Sequence, residues 1–283
     1  MIGIRYPFYH FKLLAIGIGL TGPAWAQPEA PEGYRWEINE TLTDEFNGTE
    51  LDATKWYDHL PHWEGRPPGK FMPSSISVAD GFLQISMTPM AKPEGKFNIA
   101  AGAVQTKSDQ IHYGYYEARI KASQLSASTN YWMYRDPIET EAGRIGMELI
   151  IQFGIGKSEG FSHHMKSNAM ISLSPRENGA KKQKEKRTDR VELKSGVAED
   201  FHTYGCWWVD ANTLHFYADG ENVYTINPAT TFGEDPYRHP LKLSFVCEVF
   251  DWQPLPTLEE LNDSSRNTAY IDYSRAYRLV KLN

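Results

Sequence analysis

Short runs rich in β-branched and aromatic residues recur along the chain, at 76–78, 82–87, 103–106, 113–122, 131–134, 146–153, 168–173, 203–209, 213–218, 221–226, 241–249 and 269–279. Turn residues separate them, and few stretches show a helical period. Strands at that density predict an all-β fold, a two-sheet antiparallel β-sandwich. Asp80-Gly81 and Asp219-Gly220 read as hairpin turns between adjacent runs, because a tight two-residue turn needs residues that tolerate positive φ. One short helix is expected at 257–261, after Pro256, with Thr257 as N-cap and Glu260 at the reciprocal capping-box position.

Residues 1–26 are of another kind. Arg5 and Lys12 precede an apolar run from Leu13 to Leu20, followed by Ala24-Trp25-Ala26. That order is a secretory signal pattern with cleavage after Ala26. The run is much shorter than the roughly 20 apolar residues of a membrane span. The expectation is a secreted or periplasmic protein with no membrane attachment after cleavage. No Ser/Gly-rich linker or internal repeat divides 27–283, which reads as a single domain and a monomer, since β-sandwiches reach this length as one unit.

The net charge of −7 argues against a nucleic-acid binder. No phosphate loop, zinc-ligand spacing or Ser-His-Asp signature stands out, so no cofactor is required. Cys206 and Cys247 both lie in apolar strand-like runs, which leaves one disulfide or two buried free thiols open. Aromatic residues make up 13% of the chain, enough to ask what the rings stack on.

Two segments carry the chemistry. In GMELIIQFG, residues 146–154, Glu148, Ile150 and Gln152 share one face of a regular strand, with Glu148 and Gln152 about 13 Å apart. That face is either core with one satisfied acid or the floor of a cleft. In RENGAKKQKEKRTDRVELK, residues 176–194, eight Lys/Arg stand against four acids. The segment reads as an insertion between strands, either a solvated loop or, through cations such as Lys181, Lys182, Lys184 and Lys186, a holder for an anionic ligand such as a sulfated sugar.

Seven collinear segments are spread along the chain between residues 42 and 280: LTDEFNGTELDATKW, HWEGRPPGKF, VADGFLQI, YGYYEARIKAS, YWM, FHTYGCWWVDANTLHFYADG and EVFDWQPLPTLEELNDSSRNTAYIDYSRAYRLV. Together they resemble glycoside hydrolase family 16, in its branch of red-algal galactanases: agarases, porphyranases, carrageenases and furcellaranase-like enzymes. The resemblance implies a concanavalin A-like jelly roll with an open substrate groove, and endo-acting hydrolysis of a red-algal galactan. The family's central strand reads Glu-x-Asp-x-Glu, or Glu-x-Asp-x-x-Glu where a β-bulge intervenes. Its first Glu is the nucleophile, its Asp holds that carboxylate, and its last Glu is the acid/base. By that resemblance Glu148 is the nucleophile and Ile150 stands at the Asp. The acid/base position falls on Gln152 in regular alternation, or on Phe153 with a bulge. Met170 stands where these galactanases tend to carry a His after the Asn matched by Asn168.

Retaining cleavage needs two carboxyl groups about 5–5.5 Å apart, and an amide has no proton to give near neutral pH. Two functions therefore remain open: a hydrolase drawing its acid from Glu139, Glu141, His163, His164, Glu248 or Asp251, and a catalytically silent galactan-binding protein on the same fold. In either, the resemblance marks Trp63, Trp132 and Trp252 as stacking faces for sugar rings, and Arg66, Asn168 and Glu248 as polar partners. Trp207 and Trp208 are adjacent on a strand and cannot both face the groove. Asp272 resembles an acid that contributes to a structural calcium site on the convex face of many relatives.

Overall fold

The computed structural model describes residues 27–177, 179–232 and 236–283. The expected signal segment, 1–26, lies outside the described residues. In chain order the strands begin β1 (Tyr34–Ile38), β2 (Trp56–Tyr57), β3 (Gly69–Phe71), β4 (Ile76–Ala79), β5 (Phe82–Ser86), β6 (Thr88–Glu94) and β7 (Phe97–Ala101). They continue β8 (Ala103–Thr106), β9 (Gly114–Lys121), β10 (Ser128–Tyr134), β11 (Ile138–Glu139), β12 (Gly143–Ile155), β13 (His164–Pro175) and β14 (Gln183–Glu192). They end β15 (His202–Asp210), β16 (Thr213–Ala218), β17 (Glu221–Ile226), β18 (Lys242–Glu248) and β19 (Thr268–Lys281), with the helix α1 (Leu258–Asn262) ahead of β19.

Two antiparallel sheets form the sandwich. One runs β17-β16-β15-β9-β19-β5-β4 with β1 added alongside β19, and the other runs β14-β13-β12-β10-β18-β8-β2 with β11 added alongside β12. A small third sheet, β3-β7-β6, sits beside them. The sheets meet because each strand turns alternate residues inward. From the first sheet come Leu83, Ile120, Trp208 and Phe216, and from the second Tyr131, Leu149, Ile151 and Phe245, all essentially inaccessible to water. Each such side chain contributes about 1.5–3 kcal/mol of burial. Cys206 and Cys247 belong to this core as free thiols, which settles the alternatives left open by the sequence. Trp208 is in the core and Trp207 packs against Trp36 and His215 on β16, so neither faces the second sheet's outer surface, where the cleft lies.

Local signals read from the sequence reappear. Asp80-Gly81 and Asp219-Gly220 turn between β4 and β5 and between β16 and β17, with all four residues at positive φ. Thr257 caps α1 with both capping-box hydrogen bonds formed. The basic segment is a correction: residues 183–192 are not a loop but β14, paired with β13 from His164↔Glu192 to Leu173↔Gln183 at the edge of the second sheet. An edge strand with one solvated face needs no apolar alternation, so its composition concealed it.

A candidate carbohydrate-binding cleft

The outer face of the second sheet is built by register. On β10, Asn130, Trp132 and Tyr134 share one face; across β18 they meet Val246, Ser244 and Lys242, and across β12 they meet Phe153, Ile150 and Glu148. On β13, Met170 lies opposite Glu148 and Asn168 opposite Ile150. Most of these residues, with His62, Trp63, Arg66, Glu248 and Phe250, line a cavity of about 350 Å³. The cleft reading of Glu148 thus holds over the core reading.

The register of β12 changes the reading of its second half. Tyr131 pairs with Gln152 while Trp132 pairs with Ile150, leaving Ile151 as the extra residue of a β-bulge. Two successive residues then point inward, and the parity flips. Ile151 and Gln152 are buried on the core side, at 0% and 2% exposure, and Phe153 takes the cleft face. The expectation that Gln152 occupies the acid/base position is therefore corrected: with the bulge present, that position carries the phenyl ring of Phe153. Gln152 has another task. Its Oε1 accepts from Lys166 N at 3.0 Å and its Nε2 donates to His164 O at 3.2 Å, satisfying backbone groups of β13 beyond Ile150↔Asn168, where the β12–β13 ladder ends.

Around Phe153 the cleft is aromatic. Phe161, Phe250 and Trp252 surround its ring, with centroids at 5.4, 5.4 and 6.4 Å. Trp252 is 50% exposed and so offers a free face. At the other end His62 stacks on Tyr134 at 4.4 Å, with Trp132 beside both. The loop carrying Trp63 and Arg66 depends on Gly65, whose φ is +119° and where a Cβ would stand 2.6 Å from Gly69 O. Arg66 lies between the rings of Trp63 and Phe250, at 5.6 and 5.0 Å, and its Nε donates to Glu248 at 3.0 Å.

Two carboxyl groups remain in the cavity. Burial raises the Glu148 pKa, against the opposing charges of Lys184, Lys182 and Arg66. Burial also pushes Glu248 up to about 7, with Arg66 pulling it down and Glu148 pushing it further up. Of the replacement acids considered, Glu248 alone lines the cavity. Glu139 is engaged by Arg144 and Arg176, and Glu141, His163 and Asp251 are exposed outside it.

Trp63, Trp132, Arg66 and Glu248 thus come together with Glu148, while Asn168 and Trp252 flank the cavity without lining it. Asp272, expected at a structural calcium site, has its carboxylate held by Arg119 Nη1 at 2.5 Å. Among the described residues no group of three or more His, Cys, Asp or Glu side chains could hold a metal ion. His62, Asn130, Tyr134, Phe161 and Phe250 were missed from sequence. The period-2 spacing of Asn130, Trp132 and Tyr134 was the available signal for two of them.

The family model described as beta-porphyranase A-D, GH16 domain, matches residues 36–279. Beta-porphyranase B of Phocaeicola plebeius is 40% identical over 288 residues, covering 90% of this chain and 88% of that protein. Beta-porphyranase E of Zobellia galactanivorans is 41% identical over 257 residues, covering 89% of this chain and 91% of that protein. The crystal structure of a beta-porphyranase from the human gut bacterium Bacteroides plebeius superposes with a TM-score of 0.84 at 39% identity, over 90% of this chain and 96% of that one.

Proposed function

Because the chain belongs to the beta-porphyranase group of glycoside hydrolase family 16, we propose that it holds a red-algal galactan of the porphyran or agarose type in the Glu148 cleft, as an exported binding protein that has given up the family's double displacement. The observation that carries this reading is the ring of Phe153 at the place of the acid/base. A phenyl group has no proton to deliver to a leaving oxygen, and Ile150 has no charge with which to orient Glu148. Loss of general acid catalysis alone costs about 10²–10⁴ in rate. What survives suits binding: flat apolar faces at Trp63, Trp132 and Trp252 for sugar rings, and polar groups at Arg66, Asn130 and Glu248 for hydroxyls.

Affinity electrophoresis in porphyran and agarose gels, run beside reducing-end release from the same polymers, tests the proposal. Retarded migration without new reducing ends is the expected outcome, and release by the wild type would sink the silent reading. A second reading has one observation in its favour, the proton that buried Glu248 retains up to about pH 7 in the same cavity as Glu148. In it Glu148 attacks and Glu248 protonates the leaving oxygen. Turnover abolished in Glu248→Gln with binding retained would support that reading.

A further inference from the structure

β14 closes the edge of the cleft sheet, and its two faces carry different chemistry. The odd-numbered face turns toward β17 and the core: Glu185 pairs with Arg187 and accepts from Thr231, and Val191 packs on the core. There the charges are of both signs. The even-numbered face pairs across to the cleft-side residues of β13, with Lys184 opposite Ser172, Lys186 opposite Met170, Thr188 opposite Asn168 and Arg190 opposite Lys166. From Lys184 to Arg190 that face holds no acid, and among the described residues none of its three cations has an ion-pair partner. Residues two apart on a strand are about 6.7 Å apart, so these cations span about 20 Å beside the cleft.

Lysines on an edge strand also serve to block pairing with other chains. That role needs charge along the edge but has no reason to sort cations to one face and mixed pairs to the other. The field of the sorted face reaches the cleft: Lys184 and Lys182 are the charges that most oppose the rise of the Glu148 pKa. Lys166, lying over the Phe161 ring at 4.3 Å, has its pKa lowered by burial and then by Lys186 and Arg190. Like charges left crowded together in a chain of net charge −7 are a place for a polyanion to bind.

We propose that Lys184, Lys186 and Arg190, with Lys166 behind them, form an anion-reading flank that binds sulfate esters of a galactan lying in the adjoining cleft. The inference rests on the galactan-groove reading above and adds to it the residues that select sulfated over neutral chains. The aromatic cleft supplies affinity for the sugar faces common to both polymers, and the flank supplies the difference.

The test measures binding of a sulfated galactan and of neutral agarose oligosaccharides by the full chain and by the triple variant Lys184→Gln/Lys186→Gln/Arg190→Gln. All three side chains are exposed, and an unchanged melting temperature checks the fold; Lys186→Gln alone serves if the triple variant folds poorly. At low salt the triple variant is expected to bind the sulfated polymer about tenfold more weakly and the neutral one within about twofold, with the difference shrinking at high salt. The control Arg35→Gln/Arg278→Gln/Lys281→Gln, on β1 and β19 of the opposite sheet, is expected to leave both unchanged. Equal binding of the sulfated polymer by wild type and triple variant, parallel loss on both polymers, or the same loss in the control would overturn the flank. Failure of the groove has its own signature: Trp132→Ala and Trp252→Ala would leave binding of both polymers intact. A wild type that binds neither polymer overturns both.

Discussion

The bulge at Ile151 makes opposite claims about two neighbouring residues, and replacing each with glutamate tests it. In Phe153→Glu/Ile150→Asp, both new acids stand on the cleft face with Glu148. The change costs ring contacts with Phe161, Phe250 and Trp252, each worth about 0.5–1.5 kcal/mol, so a stability loss of about 1.5–4.5 kcal/mol is expected. It places a titratable group where general acid catalysis is worth about 10²–10⁴, or about 3–5 kcal/mol of barrier. In Gln152→Glu/Ile150→Asp the new carboxylate at 152 instead enters the core side. It loses the donor to His164 O and sits at a position only 2% exposed. An unsatisfied buried polar group costs about 1–3 kcal/mol, and an uncompensated buried charge more. At about 2–4 °C per kcal/mol for a chain of this size, the melting temperature should fall by at least about 4 °C with no gain in activity.

The assay is reducing-end release from porphyran and agarose by both double variants and the wild type, with melting curves in parallel. Release by the Phe153 variant above the wild type, and none from the Gln152 variant, is the expected pattern. The reverse pattern would refute the assignment of faces, because it would mean that residue 152 reaches the sugar and residue 153 does not.

Trp252→Ala should weaken galactan binding about tenfold, since the ring is half exposed and its free face adjoins the cleft, and should lower the melting temperature by a few degrees, since the ring also contacts Phe153, Phe161 and Phe250; calorimetric titration checks the first and thermal melts the second. For Glu248, whose folded pKa lies at about 7 against 4.5 for the free group, the folded state holds the extra proton between those values, so its contribution to stability falls as pH rises through that window. The melting temperature of Glu248→Gln minus that of the wild type should therefore rise from pH 5 to pH 8, and a difference that falls would reverse the sign. Burial pushes the Cys247 thiol up to about 12 and Cys206 also upward, so neither should react with a thiol reagent until the chain unfolds.

The sequence was most legible where one face of a strand is apolar and the other is not. Residues 213–218 and 221–226 are strands with the bounds read from the alternation, and the Asp219-Gly220 turn between them follows from positive φ. It was least legible at Ile150-Ile151-Gln152-Phe153, where apolar residues stand at both parities. Regular alternation and a bulge fit those four residues equally well, and only the cross-strand partner Tyr131, a core residue stacked on Phe245, selects between them. β14 was hidden for the opposite reason. Its sequence is charged on both parities, and the ladder to β13 is what separates Lys184, Lys186 and Arg190 from Glu185, Arg187 and Asp189. The family resemblance identified the cleft's blocks but not their geometry, so Trp63, Arg66 and Glu248 were picked out of those motifs while His62 and Phe250, in the same two blocks, were not.

The losses on the central strand are coupled, and the coupling bears on what the cleft can still do. Ile150, Phe153 and Met170 place apolar groups beside, beyond and opposite Glu148. None of the three can solvate or pair with a carboxylate, and burial raises the Glu148 pKa. The opposing charge now comes from the sheet edge, from Lys184 and Lys182 first and Arg66 after them. On the binding reading proposed above, such a site discriminates less by what it can ionise than by what it can stack and which anions its rim can hold. Reversing one substitution alone leaves the others in force: Glu at 153 without Asp at 150 would face a Glu148 still desolvated, and Asp at 150 without Glu at 153 would orient a nucleophile whose leaving group has no acid. Restored cleavage should therefore be strongly non-additive, with each single variant near the wild type and the double variant well above their product. Additive gains would mean that Glu148 is already positioned and ionised as it stands.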